Sequence, residues 1–286
     1  MYYYIVDPQK IDQKSFERVQ NQLYSSLAEL KISGEMTRVT SLRSMTQLVD
    51  SAVERGATTI VAVGHDSTVQ EIINAVGEKD VTVGYVPLEN SEIAEILGAG
   101  DVVTACKNLA QRRVEMLDLG RIGNNYFFTK VSINASLESV KPRSIFDLNK
   151  FGELANTKPA RIRLNIDEQF RAETEIVLGL VVNSRAGSRV EEGIGRGLAD
   201  PTDGILDILL LPKISSYDAW KFRKEIGAGE LEKIPGCTVM HGRQVRIMGD
   251  EDLAMYIGER AAAKSQAVLE ALPRKIRMIV GKDRSF

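Results

Sequence analysis

The chain has 286 residues, of which 43% are hydrophobic and 27% charged, with a formal net charge of −2. This is the composition of a soluble globular protein of about two domains, and the small net charge gives no indication of nucleic-acid binding. The two cysteines, Cys106 and Cys237, are isolated, which excludes a disulfide framework and favours a reducing cytosol. No segment approaches the ~20 apolar residues of a membrane span. The N-terminal MYYYIVDP lacks the basic region of a signal peptide.

Strand and helix patterns alternate through the first part of the chain. Amphipathic spacing predicts helices over residues 16–30, 42–53 and 69–76, followed by two short helices at 91–97 and 101–109. The intervening β-rich runs are residues 2–6, 37–40, 59–63 and 81–86. This alternation predicts a mainly parallel sheet covered on both faces, and such sheets bind ligands at the carboxyl ends of their strands.

The pattern changes near residue 117, where strand-like runs follow one another. These runs are residues 117–122, 126–133, 162–166, 176–182, 205–211, 245–248 and 276–280. Helical patterns interrupt them only at 144–154 and 217–226, and residues 264–272 fit either a helix or a strand. The fold prediction is therefore a Rossmann-like α/β domain, residues 1–119, followed by an antiparallel β-sandwich domain, residues 120–286, with a ligand cleft between them.

Two residues of the second domain receive structural interpretations. Trp220, the only tryptophan, is expected in a core or an interface rather than as a binding platform. His241 is expected to be an ordinary loop residue.

A strand, a tight turn and a helix follow one another between residues 59 and 76. The strand ends at Gly64, residues 65–68 are polar, and helical spacing begins at Val69. Such a turn places free N–H groups at a helix N-terminus, which suits phosphate. Thr68 and Glu71 also fit the S/T-x-x-E capping box, so an ordinary capped helix explains the same residues.

Several short segments occur in a recognisable order. They are IVDP (5–8), AVGHDSTVQEIIN (62–74), VGYVPL (83–88), DLG (118–120) and DGILD (203–207). In this order they resemble the catalytic region of the diacylglycerol kinase and bacterial lipid kinase family, which is related to sphingosine kinases and, more distantly, to NAD kinases. In that family the second segment is a nucleotide loop, Gly-Gly-Asp-Gly-Thr, followed by a helix.

The resemblance implies an ATP- and Mg²⁺-dependent transfer of phosphate to a lipid hydroxyl, such as that of a diacylglycerol, at a membrane surface. The implied location is cytoplasmic, with peripheral membrane contact, and no nucleic-acid partner. A homodimer is left open. Asp203 is the implied metal ligand, although an Asp-Gly turn that opens a strand explains it equally well. The implied cofactor-binding positions are Gly64, His65, Asp66, Ser67, Thr68 and Glu71.

The sequence departs from the family pattern near the expected phosphates. His65 and Ser67 stand in place of two loop glycines, and the His65 ring occupies space where the backbone should approach a phosphate. The Gly-Thr-x-Asn-Asp turn after the next strand is replaced by a segment that begins with Glu89. The negative charge of Glu89 would repel phosphate unless a cation intervened.

A further departure falls on the expected catalytic base. The family has Asp-Gly-Glu late in the second domain, and this chain has Ile257-Gly258-Glu259. Ile257 cannot accept a proton, so Glu259 is the candidate catalytic residue, a weak substitute in a displaced position of a strand-like segment. A shift of the alignment would bring in Asp250, Glu251 or Asp252 instead, although an exposed acidic turn is the favoured interpretation of those three.

Three functional hypotheses follow. The chain is an active ATP-dependent lipid kinase; or it is a catalytically inactive relative, a pseudoenzyme that binds a lipid, a nucleotide or a protein; or it phosphorylates another small molecule. The combined loss of loop glycines, turn and base favours the second hypothesis over the first.

Overall fold

A computed structural model of the chain describes residues 1–9, 11–140, 154–187 and 198–286. The chain forms two compact units. Unit 1 comprises Met1–Asp118, the described residues between Arg185 and Thr202, and Pro273–Phe286. Unit 2 comprises Leu119–Ser184 and Asp203–Leu272. A single division after residue 119 therefore omits the return of the C-terminal residues to unit 1.

Unit 1 is an α/β layer structure, as the alternating pattern predicts. The elements are β1 (Tyr2–Val6), α1 (Gln13–Glu29), β2 (Gly34–Arg38), α2 (Met45–Glu54), β3 (Thr59–Gly64), α3 (Asp66–Val76), β4 (Thr82–Pro87), α4 (Glu92–Leu97) and α5 (Val102–Gln111). The strands pair in the order β2-β1-β3-β4, all in parallel. Helix α1 contacts α5, and α2 contacts α3.

The carboxyl ends of three neighbouring strands meet at one edge of this sheet. Val6 of β1 is in register with Val63 of β3, and Gly64 is in register with Pro87 of β4. Every residue of β3 and β4 is buried, which explains their continuous apolar runs. The residues that follow each strand are therefore brought together, although they lie far apart in the sequence.

Unit 2 is built from antiparallel strands. The elements are β5 (Val114–Ile122), β6 (Asn125–Phe127), β7 (Lys130–Ile133), α6 (Leu137–Val140), β8 (Ala160–Ile166), β9 (Phe170–Ile176), β10 (Leu178–Val182), β11 (Leu206–Leu211), α7 (Ser216–Lys221), α8 (Arg223–Ala228), a 3₁₀ turn (Leu231–Lys233), β12 (Thr238–Gly242), β13 (Gln244–Gly249), β14 (Ala254–Ile257), β15 (Arg260–Lys264) and β16 (Gln266–Ile279). One sheet has the order β12-β11-β10-β7-β14-β15. The second joins the first half of β16 to β13, β8 and β9.

Side chains of both sheets share one apolar core. Residues such as Leu164 and Ile247 from one sheet join Val131, Ile208 and Met255 from the other in a single buried cluster. This is the layering of a β-sandwich. The predicted fold class, α/β followed by an antiparallel sandwich, is confirmed.

Several predicted elements differ in detail. Residues 126–133 are two strands, β6 and β7, rather than one. Residues 217–226 are two short helices separated at Phe222. Residues 264–272 are the end of β15, a bend at Ser265 and the first part of β16. The predicted helix at 144–154 lies, except for its last residue, outside the described residues. Trp220 is 45% exposed, so of its two expected places the core is wrong, and the interface stays a prediction.

No helix in the described ranges is long and apolar enough to span a membrane.

Candidate functional site

The loop of residues 64–68 lies at the edge of unit 1 where the carboxyl ends of β1, β3 and β4 meet. Helix α3 begins at Asp66, with His65 as its N-cap in an extended conformation. The Thr68 hydroxyl oxygen accepts a hydrogen bond from the His65 backbone N–H at 3.2 Å. The predicted capping box of Thr68 and Glu71 is therefore wrong, because the helix begins before Thr68; Glu71 is an exposed residue on α3.

The His65 ring closes this loop. Its Nδ1 lies 2.7 Å from the Glu89 carboxylate, which follows β4, and its Nε2 lies 2.6 Å from the Gln9 carbonyl oxygen, which follows β1. The side chain is only 6% exposed. The carboxylate and the carbonyl oxygen are both hydrogen-bond acceptors. Two departures that look separate in the sequence, His65 and Glu89, thus form one hydrogen-bonded pair.

The Asp66 carboxylate holds the turn that leads into α4. It accepts hydrogen bonds from the Ser91 hydroxyl, from the Tyr85 hydroxyl at 3.3 Å and from the Glu92 backbone N–H at 3.0 Å. Burial is the main cause that raises the pKa of Asp66, and the nearby Glu92 adds to it. The Asp66 carboxylate is therefore hydrogen-bonded to neighbouring residues of unit 1.

Thr68 and Gly64 are also occupied by local packing. The Thr68 hydroxyl donates to the Asp7 carboxylate at 2.8 Å, and the Gln9 backbone N–H donates to the other Asp7 oxygen at 3.0 Å. A Cβ atom on Gly64 would lie 2.5 Å from the Thr68 hydroxyl oxygen. Packing against Thr68 therefore requires a glycine at position 64, independently of any phosphate.

In this conformation three polar side chains of the loop are hydrogen-bonded within unit 1. The buried imidazole of His65 lies between the Glu89 carboxylate and the Gln9 carbonyl oxygen. Thr68 and Asp66 are paired with Asp7 and Ser91. Ser67 is the exposed side chain of the loop.

The remaining predicted positions lie in unit 2. The Asp203 carboxylate accepts a hydrogen bond from the Ile205 backbone N–H at 2.9 Å, which is the Asp-Gly turn that opens a strand. Among the described residues, no three or more His, Cys, Asp or Glu side chains are grouped so that they could hold a metal. Ligation of Mg²⁺ by Asp203 stays a prediction.

The expected base position belongs to a β-hairpin. Ile257 pairs with Arg260 across a two-residue turn, and its side chain packs against the sandwich core. Gly258 and Glu259 form the turn, and Glu259 is exposed. The expectation that Glu259 lies in a strand is wrong, because the hairpin reverses at this residue.

Models of known protein families match both the N-terminal and the C-terminal part of the chain. Residues 2–122 match the family model "Diacylglycerol kinase catalytic domain". Residues 131–280 match "YegS C-terminal NAD kinase beta sandwich-like domain". The chain belongs to the diacylglycerol kinase family of lipid kinases.

Individual members of the family and its structural neighbours are distant from this chain. A diacylglycerol kinase of Staphylococcus epidermidis is 22% identical over 249 residues, which are 82% of this chain and 78% of that protein. The crystal structure of a diacylglycerol kinase from Bacillus anthracis has a TM-score of 0.72 at 18% identity, covering 98% and 97% of the two chains. An NAD kinase from Archaeoglobus fulgidus, solved in complex with ATP, has a TM-score of 0.59 at 11% identity, covering 99% and 95%.

Sequence reasoning missed the partners that close the family's nucleotide loop in this chain. Gln9 lies outside the family-like segments, and Tyr85 lies inside one without an assigned role, yet both contact the loop because β1, β3 and β4 are neighbours in the sheet. The order of the parallel strands was the signal that could have found them. His241 was also misread: it lies in β12, and its Nδ1 is 2.5 Å from the buried Asp207 carboxylate.

Ionisation of Asp66 is expected to lower the free energy of unfolding as the pH rises above 3.8, the ordinary pKa of an aspartate. The pKa of Asp66 in the folded state is raised above the ordinary 3.8, so the folded state favours the protonated carboxyl. The protonated carboxyl therefore stabilises the fold, and this contribution is lost as the pH rises through the folded-state pKa. Asp66→Asn retains groups that can pair with Ser91, Tyr85 and the Glu92 N–H but carries no charge. Urea unfolding at a series of pH values should therefore show the Asp66→Asn variant gaining stability relative to wild type as the pH rises above 3.8. A difference that does not change with pH would contradict this account.

Proposed function

We propose that this member of the diacylglycerol kinase family no longer transfers phosphate from ATP and acts as a binding protein for a lipid of the family's substrate class. One observation carries the proposal. The His65 imidazole, paired with Glu89 and Gln9, lies against the loop where the family's glycines would admit the phosphates.

The state of the other catalytic positions supports this proposal. Asp66 and Thr68, retained from the family loop, are hydrogen-bonded within unit 1. Ile257 cannot take a proton from a lipid hydroxyl, and Glu259 is exposed in a hairpin turn. Phosphoryl transfer depends on positioning and charge stabilisation, so the loss of both the phosphate loop and the base removes its main contributions.

The second candidate is an ATP-dependent lipid kinase whose loop opens when nucleotide binds. The fold shared with an NAD kinase solved in complex with ATP favours this candidate. Opening requires the His65 ring to leave two hydrogen bonds, each worth about 1 kcal/mol or more.

The two candidates predict opposite results for the purified wild-type chain. We expect no ATP binding by calorimetry with Mg²⁺ and no transfer of labelled phosphate to diacylglycerol, with the Staphylococcus epidermidis diacylglycerol kinase as the positive control. We expect binding of soluble dioctanoylglycerol in the same calorimeter. Lipid phosphorylation faster than in the no-enzyme control would establish the second candidate instead. If the chain neither phosphorylates diacylglycerol nor binds dioctanoylglycerol, lipid binding is rejected as the retained function.

A further inference from the structure

An aromatic and basic surface lies on unit 2, on the two short helices α7 and α8. Tyr217 is 66% exposed and Trp220 is 45% exposed, and their ring centroids are 6.2 Å apart. The Arg223 guanidinium lies over the Trp220 ring at 5.1 Å and donates to the Trp220 carbonyl oxygen at 3.1 Å. Two large aromatic rings are thus held side by side in solvent.

The opposite side of these helices anchors them to the unit. Ala219 and Ile226 are buried, at 0% and 2% exposure. In a helix, Tyr217 and Trp220 are three residues apart and share one face. Because Ala219 and Ile226 occupy the inner side, the two rings project outward.

The exposed charged side chains of this segment have one sign. Within residues 213–228, every exposed charged side chain is a lysine: Lys213, Lys221 and Lys224. The two acidic residues of this stretch, Asp218 and Glu225, are partly buried, and Asp218 accepts a hydrogen bond from the Ser215 hydroxyl at 2.6 Å. The segment is therefore locally cationic in a chain whose net charge is −2.

We propose that this surface, formed by Tyr217, Trp220 and the three exposed lysines, docks the chain on an anionic lipid bilayer. Trp and Tyr rings have an apolar body and a polar edge, and they are favoured at the boundary between water and hydrocarbon. Lysines beside them attract the anionic headgroups, each strengthening binding by about fivefold.

The chemistry of the surface favours a bilayer over other partners. The surface lies on two six-residue helices, and Lys213, Lys221 and Lys224 are its exposed basic side chains. A single strand of nucleic acid is bound along an extended basic groove with successive stacking rings, whereas two rings with cations near them in the chain suffice for reversible contact with a membrane surface.

The single tryptophan makes a direct test possible. Emission of Trp220 in the full chain is recorded with vesicles of phosphatidylcholine alone and with vesicles containing phosphatidylglycerol. We expect a shift to shorter wavelength, and quenching by brominated acyl chains, only with the anionic vesicles. Raising the salt concentration should reverse both changes, because the lysine contribution is screened.

Variants separate this surface from general electrostatic attraction. Lys221→Glu with Lys224→Glu should weaken binding to phosphatidylglycerol vesicles by at least about 25-fold in co-sedimentation. The charge-matched control, Lys14→Glu with Lys107→Glu, changes exposed lysines of unit 1 and should bind as wild type does. Circular dichroism confirms that each variant is folded.

Three results would overturn the proposal. They are an unchanged emission spectrum with anionic vesicles, equal weakening by the two double variants, and an equal spectral shift with a single-stranded oligonucleotide, which would assign the surface to nucleic acid.

Discussion

Replacing His65 by glycine is expected to give the chain measurable affinity for ATP with Mg²⁺, at least about tenfold above the upper bound that calorimetry sets for wild type. The ring now pairs with Glu89 and the Gln9 carbonyl oxygen, so a phosphate must displace two hydrogen bonds as well as the ring itself. Glycine removes both obstacles, and it serves almost as well as other residues at the N-cap of α3. Calorimetry on wild type and variant measures the difference.

Two further variants separate the causes. His65→Phe keeps a ring of similar size but makes no hydrogen bond, so an affinity as low as that of wild type would assign the effect to steric exclusion. His241→Gly removes the other histidine, which lies on unit 2, and controls for the loss of an imidazole elsewhere. Equal ATP affinity in wild type and the glycine variant at position 65 would show that the ring does not close the loop.

The glycine variant is expected to bind ATP without gaining turnover. Ile257 remains at the position of the family's base, and its side chain belongs to the sandwich core. If lipid phosphorylation appeared after His65→Gly alone, the base would have to come from another residue, and the proposed loss of catalysis would rest on the loop only.

The fold could be predicted because its signals are local. Helical spacing and continuous β-rich runs located most of the elements of unit 1, and the run of strands after residue 117 indicated the sandwich. Errors occurred where tertiary contacts decide the outcome. Residues 264–272 carry no decisive pattern of their own, yet they form strand because β13 pairs with them over five residues.

The state of the candidate site could not be predicted in the same way. The sequence identifies His65 and Glu89 as departures, but they lie 24 positions apart, and only the register of β3 with β4 brings them into hydrogen-bond contact. Asp66 matches a family motif, whereas its hydrogen bonds to Ser91 and Tyr85 depend on how the β4–α4 turn packs. The motif identifies the residue type, whereas the hydrogen-bond partners in the folded chain determine what the residue does.

Exposure of Trp220 illustrates the same limit. A lone tryptophan is usually well buried, so the sequence favours a core position. Here the small Ala219 and the distant Ile226 take the inner side of the helices, and Trp220 is left outside. Which face of a short helix is buried depends on the sheet beneath it, and six residues are too few to settle this from periodicity.

Gly120→Ala is expected to destabilise the sandwich by about 3 kcal/mol. Gly120 of β5 lies directly opposite Phe127 of β6, and Phe127 is fully buried in the sandwich core. A Cβ atom on Gly120 would lie 2.0 Å from the Phe127 Cζ atom. Either the ring or the strand must move, and the closely packed core resists both movements. Urea unfolding of the variant and wild type measures the loss.

A matched glycine and a double-mutant cycle isolate this contact. Gly123, in the turn of the same hairpin, has a φ of +56° and no atom within 4 Å of a built Cβ, so Gly123→Ala should lose only about 1 kcal/mol through backbone strain. Phe127→Leu shortens the opposing side chain, and in the double variant with Gly120→Ala the losses should total at least about 1 kcal/mol less than the sum of the single effects. Strictly additive losses would mean that the glycine is required for a reason other than the Phe127 ring.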